Sequence, residues 1–228
     1  LTTVALIALA IAFALLLALT SAVRCAAAAP YIDKQNLFST AQDPTYSIYH
    51  IPGIVVTAKG TVLAWCEARK QAAGASDWSD IRILLRRSTD DGKTWSAPTS
   101  IAEVPGPKEK NPAALRMAEV APDTITYNNP VLIADRDGTV HMVFCLEYMR
   151  VFYQRSLDDG LTWTSPKEIT ATFEAFRPAY PWTVLATGPN HSIQLRTGRL
   201  VVPVWLSTGT GGNAHRPSVT AIIYSDDG

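Results

Sequence analysis

Ser88-Thr89-Asp90-Asp91-Gly92-Lys93-Thr94-Trp95 recurs almost unchanged as Ser156-Leu157-Asp158-Asp159-Gly160-Leu161-Thr162-Trp163. A shorter copy, Tyr224-Ser225-Asp226-Asp227-Gly228, closes the sequence, and the three glycines follow one another at intervals of 68 residues. A fixed period of this size indicates repeated supersecondary units. The sequence therefore predicts one structural unit that occurs three times, with an acidic turn in each copy.

The composition of these segments fits a tight hairpin turn. An aspartate carboxylate can accept N–H bonds within its own turn, and glycine adopts positive φ without steric cost. The tryptophans offer large flat side chains that can be buried between strands. We therefore predict a structural role, without catalysis, for these turn residues: Ser88, Asp90, Gly92, Trp95, Ser156, Asp158, Gly160, Trp163, Asp226 and Gly228.

Short apolar segments, several of them alternating with polar residues, flank the turns. In chain order they are residues 51–57, 61–67, 81–87, 131–134, 139–146, 151–156, 192–195, 200–206 and 219–224. Such segments between turn residues are typical of successive β-hairpins, and no amphipathic helix stands out. The pattern predicts an all-β chain, a β-propeller of which about three blades of four-stranded antiparallel sheets are present.

Charge and motif content exclude several functional classes. The 228 residues carry 20 basic and 20 acidic side chains, so no strong field attracts nucleic acid or an anionic membrane surface. We find no nucleotide-binding motif and no cysteine or histidine spacing typical of metal sites, and we predict no cofactor. After residue 29, Cys66 and Cys145 could form one disulfide, but two buried free thiols are favoured.

The first 29 residues differ from the rest of the chain. Residues 1–23 carry no charge and are nearly all apolar, and an alanine run follows at residues 26–29. This pattern predicts a signal peptide with cleavage near Ala28, and thus a secreted or periplasmic protein. The alternative is an uncleaved anchor, which would be the one reason to expect membrane contact.

The acidic turns match the Asp box, S-x-D-x-G-x-T-W, and other segments resemble sialidases. Tyr49-His50-Ile51-Pro52 is similar to the F/Y-R-I-P motif of that family, and residues 60–69 resemble its G-x-L-L-A-x-x-E-x-R segment. Residues 188–195 and 198–203 also resemble sialidases, and the resemblance extends from Tyr49 to the last residue. It implies the N-terminal half of a propeller of about six blades, with residues 30–228 as a partial domain.

The resemblance implies an exo-glycosidase that releases terminal sialic acid from glycoconjugates through a tyrosine nucleophile. Asp77 stands where the family has its acid/base aspartate, which must carry a proton to act as the acid. A solvated loop carboxylate is the alternative, and Asp80 is the second candidate. Arg69 matches an arginine that lines the family's sugar pocket, although it could instead be a strand-end residue paired with Glu67 or Asp80.

Three further residues complete the predicted site. Asn129 matches an asparagine that approaches the sugar, and its alternative is a turn residue before Pro130. Trp205 matches a pocket aromatic, and its alternative is a core tryptophan. His50 departs from the family, which has arginine there, and an imidazole lacks the permanent charge and bidentate fork of a guanidinium.

Two expectations limit this interpretation. The family's other two carboxylate-binding arginines, its glutamate and its nucleophilic tyrosine follow the third Asp box, so none is assigned here and we expect this chain alone to be inactive. Because His50 weakens the case for sialic acid, a hydrolase or lyase for another sugar remains an alternative. A non-catalytic propeller that binds glycans or proteins is the other, since Asp boxes also occur in such proteins.

Overall fold

The computed structural model describes residues 31–70, 76–116, 123–189 and 191–228. The chain divides into two compact units, residues 1–35 and residues 36–228. Of the first unit, residues 31–35 are described and contain neither helix nor strand, so the predicted leader lies outside the described residues. Among the helices of the described ranges, none is long and apolar enough to cross a membrane.

Within the described residues, the second unit contains twelve strands in three antiparallel sheets. Sheet 1 contains β1 (Ile48–Val56), β2 (Val62–Arg69), β3 (Ile81–Ser88) and β4 (Thr99–Ser100), and sheet 2 contains β5 (Tyr127–Ala134), β6 (Val140–Leu146), β7 (Arg150–Ser156) and β8 (Lys167–Glu168). Sheet 3 contains β9 (Val184–Thr187), β10 (Ile193–Gln194), β11 (Leu200–Ser207) and β12 (Ser218–Ser225). A one-turn helix α1 (Pro112–Leu115) and a 3-10 helix (Thr170–Phe176) lie between sheets in sequence. The predicted all-β architecture of three four-stranded antiparallel sheets is confirmed, and within the described ranges the sheets do not close into a ring.

The sheets pack in chain order, as consecutive propeller blades do. One apolar cluster, with Leu63, Trp65 and Phe144, lies between sheets 1 and 2. A second, with Val143 and Val204, lies between sheets 2 and 3. The middle strands β2 and β6 are buried on both faces, which explains their apolar character, whereas β11 alternates between buried and half-buried residues.

A left-handed residue before a proline interrupts the first strand of every sheet. Ile51 (φ 49°), Asn129 (φ 51°) and Gly188 (φ 62°) each precede a proline. The register of β1 shifts between residues 50 and 53, and that of β5 between residues 128 and 131. In sheet 3, β9 and β10 both pair with β11 and form the two parts of the interrupted strand. Proline cannot donate to a ladder, and a bulge lets the edge strand continue past it.

The first two Asp boxes form the predicted turns. Ser88 Oγ donates to Asp90 Oδ1 at 2.8 Å, and the same Asp90 oxygen accepts the Thr94 N–H at 2.9 Å. The second box repeats these contacts at 2.8 Å each among its own serine, aspartate and threonine. Trp95 stays half-buried and bonds to the Gly92 carbonyl of its own turn, whereas Trp163 packs against the cluster between sheets 1 and 2.

The third turn starts one residue later than the repeat of the glycines predicts. β12 pairs Ser225 with Leu200, just as β3 pairs Ser88 with Val62. In each pair the serine lies opposite the first residue of the middle strand. Ser225 therefore holds the serine position of the third box.

This shift corrects two predicted box residues. Ser225 Oγ donates to Asp227 Oδ1 at 2.9 Å, so Asp227 takes the role that we predicted for Asp226. Asp226 instead forms an ion pair with Arg199 at 2.7 Å. Gly228, in third place after Ser225, occupies the position of Asp91 and Asp159 rather than that of the box glycine.

Both cysteines of the described ranges are buried and free, as favoured from the sequence. Burial raises the pKa of the Cys145 thiol to about 12 and raises that of Cys66 even further. Neither thiol is a reactive nucleophile in this environment.

Candidate functional site

The topology collects three connections at one end of the sheets. Asp77, Tyr148 and His215 lie in the β2–β3, β6–β7 and β11–β12 connections, which are equivalent in the three sheets. The interrupted first strands come to the same end, since His50 is paired with Glu67 near the end of β2. The Asp boxes follow the far end of each third strand, so they lie opposite this end.

A cavity of about 420 Å³ opens among these connections and bulges. Four of the five predicted site residues line it: His50, Asp77, Asn129 and Trp205. The remaining lining residues are Ile51, Tyr148, Pro189, His215, Arg216, Ser218 and Thr220. The structure thus brings the predicted residues together, while their roles in binding and catalysis stay predictions.

Asp77 is held on a short, internally bonded turn. The Ser76 N–H donates to Ser79 Oγ at 2.9 Å, and Thr126 Oγ1 donates to the Ser79 carbonyl at 2.7 Å, which fixes the turn to sheet 2. The Asp77 side chain is 42% exposed and so can reach a ligand in the cavity. Asp80, the second candidate, pairs with Arg82 at 2.7 Å and is absent from the cavity lining.

Arg69 lies behind Asp77 and does not line the cavity. Its side chain is 4% exposed, and it donates to Glu67 Oε2 at 2.6 Å and to Asp77 Oδ1 at 2.9 Å. Burial alone would lower the pKa of Arg69, but the two carboxylates beside it raise that pKa above the ordinary value. Arg69 is therefore a permanent cation that orients Asp77, and it pairs with Glu67 as the alternative interpretation expected, while its contact with a sugar stays a prediction.

The buried Glu67 connects this cation to the strand bulges. Its Oε1 accepts the N–H of Asn129 at 2.7 Å, and the Asn129 carbonyl accepts Thr187 Oγ1 at 2.6 Å. Burial raises the pKa of Glu67 above its ordinary value, against the opposing effects of Arg69 and of the Asn129 N–H. Hydrogen bonds thus join all three sheets directly beneath the cavity.

Aromatic rings form one wall. The His215 ring lies 5.2 Å from the Trp205 ring, 5.4 Å from the Tyr148 ring and 5.9 Å from the Trp78 ring, measured between centroids. Trp205 is half-buried and also packs against the core between sheets 2 and 3, so both interpretations of this tryptophan hold in part. Such a wall can stack against the apolar face of a sugar.

The sequence analysis missed Tyr148 and His215 as site residues. Residues 208–217 read as a polar connection rich in glycine and proline. Only the topology could have indicated these two residues. The β6–β7 and β11–β12 connections are equivalent to the β2–β3 connection that carries Asp77, and they therefore lie at the same end of the sheets. Within the described ranges no group of three histidine, cysteine or acidic side chains could hold a metal ion.

Comparisons with known proteins show which family the sequence matches. Residues 51–228 match the BNR repeat-like domain family. A sialidase of Bacteroides fragilis is 30% identical over 201 residues, which cover 82% of this chain and 35% of that protein. An exo-alpha-sialidase of Aspergillus fumigatus is 24% identical over 229 residues, which cover 82% of this chain and 51% of that one.

Solved structures support the fold. A leech intramolecular trans-sialidase, in complex with 2,7-anhydro-Neu5Ac, aligns with a TM-score of 0.62 and 16% identity. The alignment covers 86% of this chain and 44% of the leech protein. The chain thus spans between about a third and a half of the length of these relatives.

Proposed function

The chain belongs to the sialidase family of BNR-repeat proteins, and from this premise we propose that it forms the acid/base side of a glycosidase site for terminal sialic acid. The observation that carries the proposal is Asp77, an accessible carboxylate oriented by Arg69 in a cavity with an aromatic wall. The substrate would be a sialoside of a glycoconjugate.

In the proposed reaction, Asp77 protonates the glycosidic oxygen of the leaving group and later takes a proton from water. Oδ1 of Asp77 is occupied by Arg69, so Oδ2 is the oxygen available for this exchange. Trp205 would stack on the sugar, and His50 and Arg216, which line the same cavity, would face its carboxylate.

We further propose that this chain binds the sugar without turning it over. Tyr148 is the tyrosine of the described cavity lining, and burial raises its pKa well above the ordinary value. A tyrosine nucleophile needs activation toward its anionic form, the opposite effect. Tyr148 is therefore unsuited to attack the sugar in this environment.

The test combines binding with turnover. N-acetylneuraminic acid is titrated into the chain by calorimetry, and a fluorogenic sialoside is assayed in parallel. We expect saturable binding that Trp205→Ala weakens about tenfold and no release of the fluorophore. Trp95→Ala, at the opposite end of sheet 1, is the matched control and should bind like the unchanged chain.

Absence of saturable binding would contradict the proposed function, and turnover would contradict the proposed inactivity. Equal or tighter binding of the neutral N-acetylglucosamine would favour the alternative of another sugar, for which His50 is the specific observation. A glycan-binding propeller without catalysis would be favoured if a longer protein containing this chain also bound sialosides without cleaving them.

We also propose that residues 1–29 direct export and are removed. N-terminal sequencing of the protein recovered outside the cytoplasm should give a chain that starts close to residue 29. An intact leader on membrane-bound protein would support the anchor instead.

A further inference from the structure

We infer that His215 is a positioning residue for Asp77, and that the charge of its imidazole is coupled to the carboxylate that faces it. His215 Nδ1 lies 3.6 Å from Asp77 Oδ2, while Arg69 Nη1 holds Asp77 Oδ1 at 2.9 Å. The distance to His215 is within ion-pair range and longer than a hydrogen bond. Asp77 therefore lies between one permanent cation and one that depends on pH.

The environment of the His215 ring leaves Asp77 as its electrostatic partner. The other ring nitrogen, Nε2, is buried and finds no hydrogen-bond partner among the described residues. A proton on Nε2 would be unsatisfied, so the arrangement favours a neutral ring with its proton on Nδ1, directed at Asp77. A second proton on the ring is costly unless the nearby carboxylate compensates for it.

Among the described residues, the charged and titratable groups that act on the ring are Asp77, Arg216, Arg69 and Tyr148. Burial lowers the pKa of His215, Asp77 raises it, and the guanidinium groups of Arg216 and Arg69 lower it. Tyr148 packs against the ring from sheet 2, and its own raised pKa leaves it neutral at physiological pH. Among these neighbours, only the Asp77 carboxylate favours the charged imidazole.

The coupling has a consequence for Asp77 Oδ2, the oxygen that remains free of Arg69. With His215 charged, Oδ2 faces a second cation, and the attraction between them holds the carboxylate in place. With His215 neutral, that attraction is lost, and Oδ2 is positioned less firmly for the proposed proton exchange. The effect of His215 on proton exchange rests on the proposed acid/base role of Asp77, whereas the electrostatic coupling between the two side chains does not.

The coupling is tested by following the imidazole C–H signals of the chain by NMR from pH 4 to pH 9, with His215→Gln used for assignment. In Asp77→Asn we expect the midpoint of His215 to fall by about one pH unit, because a carboxylate at ion-pair distance is removed. Asp80→Asn is the matched control, since Asp80 lies on the same connection but pairs with Arg82. It should leave the midpoint unchanged.

Asp77→Glu distinguishes loss of the carboxylate from loss of structure. Because this variant keeps a carboxylate near the ring, the titration midpoint of His215 should return most of the way to that of the unchanged chain. An unchanged midpoint in Asp77→Asn, or an equal fall in Asp80→Asn, would overturn the inference. The His141 signal reports on folding, because His141 lies in β6 and bonds to Tyr153. The experiment needs no substrate, so failure of sialic acid binding would refute the proposed function and leave this coupling standing.

Discussion

His50 is exposed at the bulge of β1 and lines the cavity beside Asn129. It stands where sialidases have an arginine. A guanidinium keeps its charge at neutral pH and offers a bidentate fork to a carboxylate, whereas an imidazole offers one or two N–H groups. We expect this single residue to set the affinity of the site for an acidic sugar.

His50→Arg should therefore tighten the binding of N-acetylneuraminic acid by about 30-fold, equivalent to about 2 kcal/mol for a charge pair. Calorimetry at pH 7 measures the change. His191→Arg, at another exposed position, adds the same charge outside the cavity and should have little effect. Equal gains in both variants would show that general charge, and not this position, controls the affinity.

Gly53 illustrates a steric requirement at the same bulge. A Cβ on this residue would overlap the indole ring of Trp65, whose N–H reaches the Pro130 carbonyl in sheet 2. Gly53→Ala should destabilise the fold by about 3 kcal/mol, measured by urea unfolding. The cost should shrink in a Trp65→Leu background, and an equal cost in both backgrounds would contradict the steric explanation.

At the scale of elements, the second Asp box both closes a turn and joins two sheets. The Asp159 carbonyl accepts Arg87 Nε at 2.7 Å, and Gly160 lies against Leu63 of β2. Asp158 organises this turn, and its hydrogen bonds to Thr162 lower the pKa of its carboxyl to about 2.

A lowered carboxyl pKa stabilises the fold at neutral pH and loses that contribution in acid. The contribution of Asp158 is complete above its ordinary pKa near 4 and disappears as the pH falls through about 2. Asp158→Asn should lower Tm by about 2 °C at pH 6, a small effect because the carboxylate is only partly buried.

Thermal melts of both proteins between pH 6 and pH 2 should converge as the pH falls. Asp91→Asn, which leaves the serine and threonine contacts of the first box in place, is the control for removing a turn carboxylate. A difference in Tm that stayed constant down to pH 2 would rule out this origin of the stability.

The sequence predicted those strands that are marked by a pattern of neighbouring residues. The Asp boxes and the alternating segments located the middle and third strands of each sheet. Segments predicted to begin at Ile51 and Val131 missed the starts of β1 and β5, because a proline normally ends an edge strand and the bulge that tolerates it is a tertiary feature. The four residues of β9 were missed for the same reason, since the strand stops before Pro189.

The residues of the candidate site could be predicted from the sequence only where they lie in segments that resemble the family. Asp77, His50 and Trp205 lie in the cavity, while Arg69 is buried because Glu67 and Asp77 both pair with it. His215 carried no local signal, since its contact with Asp77 joins connections that are 138 residues apart in sequence. Such a contact follows from the packing of three sheets and not from spacing.

At the scale of the whole molecule, one segment ties the sheets together. Residues 101–116 leave sheet 1, pass the cluster between sheets 1 and 2, and place Ala113 and Ala114 in the cluster between sheets 2 and 3. Asn111 is 1% exposed in the middle of this path. Its Nδ2 donates to the carbonyls of Tyr148, beside sheet 2, and Thr183, beside sheet 3.

Asn111→Ala removes both of these bonds and also the bond that its Oδ1 accepts from the Ala113 N–H at the start of α1. Because buried carbonyls and a helix N–H would lose their partners, we expect the free energy of unfolding to fall by about 3 kcal/mol. Urea unfolding should show a lower midpoint with an unchanged slope, as for a change in stability alone. Asn36→Ala, at an exposed asparagine of the same unit, should unfold like the unchanged chain. If the two variants unfolded alike, Asn111 would be a helix cap of local importance, and the packing of sheets 2 and 3 would depend on their apolar cluster alone.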